Sequence, residues 1–352
     1  MTQSLTPDQL TELPMSLGEV SGVLLNGTDH WILLDSGNGN RLYRVDPVSG
    51  DVLQEVTLLN ASNVDWEEIT TDGTWVYVAD IGNNAGARTD LRIYRFPLAE
   101  LTPTAVNLFV DTIQFHYDDQ TDFTPAYDDT NWDCEAMIAL DDSLFLFTKN
   151  WLDGHTHLYA LPALPGEHAA IRRDELNAQG LITGAARDPV SATIALLGHT
   201  EEGMEPMVWV LRGHVGHAFF SGMNEFHPLT IAPLQAEAIE FESSHVLIIG
   251  NESSPTNPAA LWRLLLPTAS DRDRPGEGSV HLFPVPADRC VQVVGADVSH
   301  EASLIDPNGA LLARLVVSSS GFVDLSGWAP GKYLLEVMVG IALHRLPLII
   351  VH

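Results

Sequence analysis

The sequence is poor in basic residues. Its 352 residues include 47 acidic and 17 basic side chains, which gives a net charge of −30, and Lys149 and Lys332 are its only lysines. A strongly acidic surface repels phosphate backbones and anionic lipid headgroups. We therefore expect neither nucleic acid nor an anionic membrane as a partner.

Long apolar runs and cysteines are also scarce. No 18-residue apolar stretch occurs, so no membrane span is expected. Residues 1–10 lack the basic and apolar regions of a signal peptide, which predicts either a cytoplasmic protein or an exported one whose signal peptide lies outside this sequence. Cys134 and Cys290 fall in different predicted domains, so we expect no disulfide between them.

Several catalytic signatures are missing as well. The sequence contains no glycine-rich phosphate loop, no Cys/His zinc spacing and no Gly-x-Ser-x-Gly motif. No serine accompanies a histidine and an acid at a recognisable spacing. Any hydrolytic chemistry would therefore use a metal or the carboxylates.

What the sequence does contain is one unit repeated five times. A short polar motif, such as Asp133-Cys-Glu135-Ala-Met137, precedes two hydrophobic strands in each copy. One column of the aligned copies reads Ser21, Glu67, Glu135, Thr183 and Glu237, with gaps of 46, 68, 48 and 54 residues. Units of 40–50 residues with about four strands are typical of a β-propeller. The sequence thus predicts an all-β protein whose residues 1–267 form a five-bladed β-propeller.

The blades are predicted to begin near residues 16, 60, 120, 181 and 234. Residues before Ser16 should supply the outer strand of the last blade, which would close the ring and remove two sheet edges. The acidic segment 118–130 has no alternating pattern and should be a long loop. It either covers a site or is a simple surface insertion.

The repeated column predicts a metal site. The first strand of each propeller blade lines the central channel, so equivalent positions meet around the axis. Three carboxylates so close to one another require a counter-charge. Ca²⁺ suits this role because it takes 6–8 oxygen ligands. We predict that Glu67, Glu135 and Glu237 bind one axial Ca²⁺, with neutral oxygens from Ser21 and Thr183. The alternative is that these acids are ordinary solvated strand ends.

A second set of polar residues should surround the channel mouth and bind a small polar or anionic ligand. Basic side chains such as Lys149 and Arg88 could neutralise such a ligand, although the asparagines also suit turns. The ligand candidates are Asp35, Asp80, Asn84, Arg88, Lys149, His199, Asn251 and Glu252.

The metal column resembles that of the five-bladed apyrases, the calcium-activated nucleotidases. Glu19-Val-Ser21-Gly-Val23, Asp133-Cys-Glu135-Ala-Met137 and Ala236-Glu237-Ala-Ile-Glu-Phe241 match motifs of that family, and Thr183 replaces a serine. The resemblance implies an axial Ca²⁺ and spans about residues 16–267. The repeats are also similar to bacterial propellers with Asp-x-Glu-Gly-Ile-like motifs, some of which are grouped with esterase-like phytase domains.

After Pro267 the composition changes. Residues 268–279 read as a polar linker, and residues 280–352 predict seven short strands in a small Ig-like β-sandwich. The motifs Leu282-Phe-Pro-Val-Pro286, Ile305-Asp-Pro-Asn-Gly309 and Gly331-Lys-Tyr333 resemble those of the type IX secretion sorting domain. This resemblance implies the secretion machinery as a partner and a secreted or cell-surface location. The competing interpretation is a carbohydrate-binding or spacer sandwich.

Two functions remain open. One is an exported, monomeric, calcium-binding propeller that binds a small polar or anionic ligand or an extracellular partner at the channel mouth. The other is a calcium-dependent hydrolase of phosphate esters or anhydrides, similar to nucleotidases or phytases, in which the metal would polarise the substrate.

Overall fold

The computed structural model describes residues 3–267, 281–283, 287–294, 298–306, 310–318, 321–339 and 342–351. The chain divides into two compact units, Met1–Leu266 and Pro267–His352. The predicted linker 268–279 and residues 307–309 of the Ile305–Gly309 motif lie outside the described residues. Within the part that is described, no helix is long and apolar enough to cross a membrane.

The first unit is a five-bladed propeller, as the sequence predicted. The chain starts with strand β1 (Asp8–Glu12). Blade 1 comprises β2 (Val20–Asn26), β3 (Asp29–Leu34), β4 (Arg41–Val45) and β5 (Val52–Leu59). The next strands are β6 (Trp66–Thr71), β7 (Trp75–Asp80), β8 (Arg92–Pro97), β9 (Asn107–Phe109) and β10 (Asp111–Tyr117).

The remaining blades follow the same order. Blade 3 contains β11 (Cys134–Leu140), β12 (Ser143–Thr148), β13 (His155–Pro162) and β14 (Gly166–Asn177). Blade 4 contains β15 (Leu181–Arg187), β16 (Ile194–His199), β17 (Pro206–Arg212) and β18 (Met223–Pro228). Blade 5 begins with β19 (Ala236–Ser243), β20 (Val246–Asn251) and β21 (Ala260–Leu265). Within residues 3–267 there are also three short 3-10 helices, Met15–Leu17, Leu98–Glu100 and Phe219–Ser221.

The N-terminal strand closes the ring. β1 pairs antiparallel with β21 and becomes the outer strand of blade 5. Blade 2 consists of β6, β7, β8 and β10, whereas β9 leaves it and pairs in parallel with β5 of blade 1. β10 also pairs in parallel with β14, so blades 2 and 3 form one eight-stranded sheet. These two parallel pairings were not predicted from the sequence.

The strands near the axis are buried on both faces because neighbouring blades pack against each of them. Successive side chains of a strand point to opposite faces. In β12, Leu146 packs in one core with Tyr77 of blade 2, while Phe145 packs in another with Trp209 of blade 4. Both faces therefore contribute to the core.

A buried carboxylate joins the inner strands inside the channel. Glu68 on β6 is fully buried, and its Oε2 accepts a hydrogen bond of 2.9 Å from the amide of Ala185 on β15. Its Oε1 accepts one of 2.9 Å from the amide of Ile69. This side chain spans the channel below the site described next.

The described residues of the second unit contain seven strands: β22 (His281–Phe283), β23 (Cys290–Val294), β24 (Val298–Ile305), β25 (Leu311–Val316), β26 (Phe322–Asp324), β27 (Gly331–Val339) and β28 (Ala342–Ile350). One sheet has the order β22-β23-β26 and the other β25-β24-β27-β28. Val291 and Val323 of the first sheet share a core with Leu304 and Leu335 of the second. The unit is thus a small two-sheet sandwich, and its Ig-like topology stays a prediction.

Candidate metal centre

The five residues of the repeated column occupy equivalent backbone positions. In each blade the first strand has a β-bulge against the second strand, and the unpaired residue of that bulge is the column residue. These residues are Ser21, Glu67, Glu135, Thr183 and Glu237. A bulge re-aims a side chain out of the regular alternation, which explains how a polar residue enters an otherwise apolar strand.

The glutamates of this column share one cavity, but the two hydroxyl residues do not line it. Glu67, Glu135 and Glu237 line a cavity of about 610 Å³ at the channel mouth. Ser21 Oγ donates to the carbonyl of Trp66 at 2.8 Å, and Thr183 Oγ1 donates to the carbonyl of Ala236 at 2.6 Å. Each hydroxyl therefore joins its inner strand to that of the following blade.

Glu135 is paired with a buried lysine. Lys149 Nζ lies 2.7 Å from Glu135 Oε1 and 4.8 Å from the ring centre of Trp151. Burial alone would lower the pKa of Lys149, but the carboxylates of Glu135 and Glu237 outweigh it and raise that pKa. The lysine is therefore a fixed positive charge in the cavity wall.

Glu237 also has partners. Its Oε1 accepts a hydrogen bond of 2.8 Å from Gln235 Nε2. Glu252 faces it, and burial followed by the charge of Glu237 raises the pKa of Glu252 to about 10. At neutral pH Glu252 is therefore protonated and adds no negative charge beside Glu237.

Glu67 lacks such partners. It is 4% exposed, and among the described residues no hydrogen bond or ion pair reaches its carboxylate. Carboxylate oxygens of Asp35, Asp65 and Glu67 lie within 4.8 Å of one another. Burial, and then the charges of Glu135 and Asp35, raise the pKa of Glu67 well above its usual value. Burial and Asp35 likewise raise the pKa of Asp65 to about 7.

A glycine allows these carboxylates to converge. A Cβ atom on Gly82 would lie 2.1 Å from Glu67 Oε1 and 2.5 Å from Asp65 Oδ2. Any larger residue would push both carboxylates away. The backbone after β7 is therefore shaped around this acidic cluster.

The predicted ligand residues separate into two groups. Asp35, Asn84, Arg88 and Lys149 line the cavity. The others, apart from Glu252 beside Glu237, do not line it and are engaged in the surrounding structure. Asp80 is fully buried and pairs with Arg88 at 2.9 Å.

Two further predicted ligand residues support the loops around the cavity. Asn251 accepts from Trp262 Nε1 at 2.7 Å and donates to the carbonyl of Pro258 at 3.0 Å. His199 Nδ1 lies 2.9 Å from the carbonyl of Thr200, and burial lowers the pKa of this imidazole to about 4. His199 is thus neutral at physiological pH.

The loop 118–130 forms part of the cavity wall through Tyr127 and Asp128. The amide of Asp128 donates to the carbonyl of Asn84 at 3.0 Å, and the Gln120 side chain donates to the carbonyl of Gly86 at 2.7 Å. Tyr127 is 78% exposed. The loop therefore places an accessible aromatic ring at the rim of a polar cavity.

Sequence reasoning missed Asp65 and Gln235 as site residues. Both stand two residues before a column glutamate, and Glu19 and Asp133 occupy the same position in their blades. A polar residue in four of the five copies was a usable signal.

Comparison with known proteins finds distant structural similarity only. No protein-family model and no curated protein matches the chain. Among solved structures, the PQQ-bound aldose sugar dehydrogenase of Streptomyces coelicolor is 11% identical, with a TM-score of 0.39, and the match covers 75% of this chain and 96% of that one. A putative exported protein of Bacteroides fragilis is 8% identical, with a TM-score of 0.38 and coverages of 75% and 95%.

Proposed function

We propose that the propeller is an exported calcium-binding protein whose channel mouth binds a small polar or anionic ligand. The observation that carries this proposal is the buried carboxylate of Glu67, which has two further carboxylates beside it and no cationic partner among the described residues. Keeping this buried carboxyl ionised without a counter-charge is costly, and a bound cation would remove that cost. Oxygen ligands in a flexible arrangement suit Ca²⁺ better than Mg²⁺.

The cavity also suits an anionic ligand. Its volume of about 610 Å³ can hold a small metabolite. Lys149 and Arg88, each paired with a carboxylate, line it beside six acidic residues, and Asn84 adds an amide, so an anionic group would enter next to a bound cation. A ligand carboxylate or phosphate would therefore meet the lysine ammonium and the cation together.

A calcium-dependent phosphohydrolase is the second candidate. The observation that favours it is that the acidic cluster lies on the wall of an open cavity, where a cation can keep positions for a substrate oxygen. Bound there, the metal would supply Lewis-acid polarisation of a phosphoryl group. A panel of nucleotides and phosphate esters, assayed with Ca²⁺ and then with chelator, separates this candidate from a binding protein.

The sandwich unit is proposed to direct secretion. Its support is the motif resemblance together with a separate compact core, in which Leu304 and Leu335 are fully buried. Deletion of residues 280–352 in the native host should abolish export of the propeller. Normal amounts of truncated protein outside the cell would instead favour a carbohydrate-binding or spacer role.

Thermal unfolding tests calcium binding. The wild-type protein should unfold at a clearly higher temperature in Ca²⁺ than in chelator, because binding to the native state alone adds about 4 kcal/mol at a thousandfold excess over Kd. Mg²⁺ should stabilise it less. Glu67→Gln should lose most of the calcium effect. Equal midpoints for the wild type in Ca²⁺ and in chelator would reject the proposal.

A further inference from the structure

The three channel glutamates are not equivalent. Glu135 has an ammonium group at 2.7 Å, and Glu237 has the Gln235 amide at 2.8 Å. Lys149 and Glu237 line the same cavity. Only the third, Glu67, is without a hydrogen-bonding or ion-pair partner among the residues described.

We infer that the cation is bound off the propeller axis, by Asp35, Asp65 and Glu67, while Lys149 is the permanent counter-cation of Glu135 and Glu237. This inference rests on the proposed function, since it assigns the ligands of the same calcium site. A symmetric axial ion held by all three glutamates would share the Glu135 carboxylate with the lysine ammonium. Two cations held by the same carboxylates repel each other, so the metal is displaced toward the unpaired wall.

The fold supplies the three ligands from two adjacent blades. Asp35 follows β3 of blade 1, Asp65 precedes β6 of blade 2, and Glu67 is the bulge residue of β6. Their carboxylates carry three negative charges against the two positive charges of Ca²⁺. Because Gly82 has no side chain, the carboxylates of Asp65 and Glu67 have room to lie beside it.

The equivalent position in blade 3 shows why the site is in blade 2. Asp133 precedes Glu135 as Asp65 precedes Glu67. Its carboxylate is saturated by the amide of Asn83 at 2.7 Å, the amide of Cys134 at 3.0 Å and Trp151 Nε1 at 2.9 Å. Asp133 therefore organises the surrounding loops and has no free face for a cation.

Calorimetric titration of Ca²⁺ alone into metal-free protein tests the assignment. The variants are Asp65→Asn, which removes an off-axis ligand, and Glu237→Gln, which removes an axial one. Asp128→Asn is the matched control, because Asp128 is an exposed residue of the same cavity wall outside the cluster. Asparagine also tolerates the φ of 53° at that position.

We expect one Ca²⁺ per wild-type chain and at least about thirtyfold weaker binding by Asp65→Asn, because the number of charged ligands sets calcium affinity. Glu237→Gln and Asp128→Asn should each change Kd by less than about fivefold, as expected for charges that act through space. Weakening by Glu237→Gln as large as that by Asp65→Asn would overturn the off-axis site. If circular dichroism shows Asp65→Asn to be unfolded, Asp35→Asn takes its place under the same criteria. Absence of binding by the wild type would instead reject the proposed function.

Discussion

Lys149 is the residue on which the charge balance of the channel mouth depends. It is buried against Glu135, and its side chain is only 5% exposed. Removing one partner of a buried ion pair leaves an uncompensated charge, which typically costs about 3–5 kcal/mol. Lys149→Met should therefore lower the free energy of unfolding by about that amount in chelator, measured by urea denaturation.

Calcium should reverse part of this loss, because the freed carboxylates of Glu135 and Glu237 would attract a second ion. The other lysine provides the control. Lys332 is exposed in the sandwich, so Lys332→Met should change stability by less than about 0.5 kcal/mol. A similarly small effect of Lys149→Met would contradict the assignment of this lysine as a structural counter-cation.

Glu240 gives the propeller a pH dependence. Burial raises the pKa of this carboxyl from 4.5 to about 8, and the Phe241 amide donates to it at 2.7 Å. The folded state holds its proton more tightly than the unfolded state does. The contribution of Glu240 to the free energy of unfolding is therefore fully present below pH 4.5 and is lost as the pH rises through about 8.

Glu240→Gln keeps a neutral side chain and an acceptor, so the variant should gain stability relative to the wild type between pH 5 and pH 8. The measurement is urea denaturation in chelator across this range. Glu242→Gln, two residues along the strand and paired with Arg263 on the outside, is the control. The raised pKa would be contradicted if Glu240→Gln and the wild type differed in free energy of unfolding by the same amount at both ends of the pH range.

At the scale of elements, ring closure depends on the packing of β1 against blade 1. Gly50 has a φ of 78°, and a Cβ atom there would lie 2.1 Å from the carbonyl oxygen of Glu12 at the end of β1. Gly73 has a φ of 86° with no atom within 4 Å of its Cβ position. The two glycines share a backbone conformation and differ in the space around them.

Gly73→Ala should cost about 1–2 kcal/mol, the price of a left-handed alanine. Gly50→Ala should cost about 1–3 kcal/mol more, because the new methyl group displaces β1 from its position. Urea denaturation of both variants gives the difference. Equal losses would show that β1 does not hold the ring closed at this contact.

The pairing of β9 and β10 could not be predicted from the sequence. Strand potential in the sequence covers residues 108–117, but this segment contributes to two strands, β9 and β10, which join different blades. Asn60 donates to the carbonyl of Val110 at 2.9 Å, at the point where the two strands separate. Alternation predicts that a segment is extended, whereas the strand beside which it lies is decided by tertiary contacts.

For the whole molecule, the repeated column was sufficient to predict five blades, because each copy marks the same bulge at the start of an inner strand. The site was predicted less completely. Asp65 and Asp133 look alike in sequence, and only the folded loops reveal that Asp133 is saturated while Asp65 faces the cluster. Likewise, Asp80 was predicted as a ligand residue, but Arg88 pairs with it. Hydrogen-bond and ion-pair partners from distant segments of the chain decide which polar residues stay available to bind a cation or a ligand.

The carboxylates at the channel mouth are proposed to bind calcium. Long-wavelength X-ray diffraction from crystals grown in Ca²⁺ tests this proposal most directly, since calcium scatters anomalously and water does not. We predict one anomalous difference peak inside the cavity, with Glu67 among the nearest carboxylates and with Lys149 still beside Glu135. If the cavity shows no anomalous peak at calcium concentrations that stabilise the protein, its carboxylates do not bind calcium.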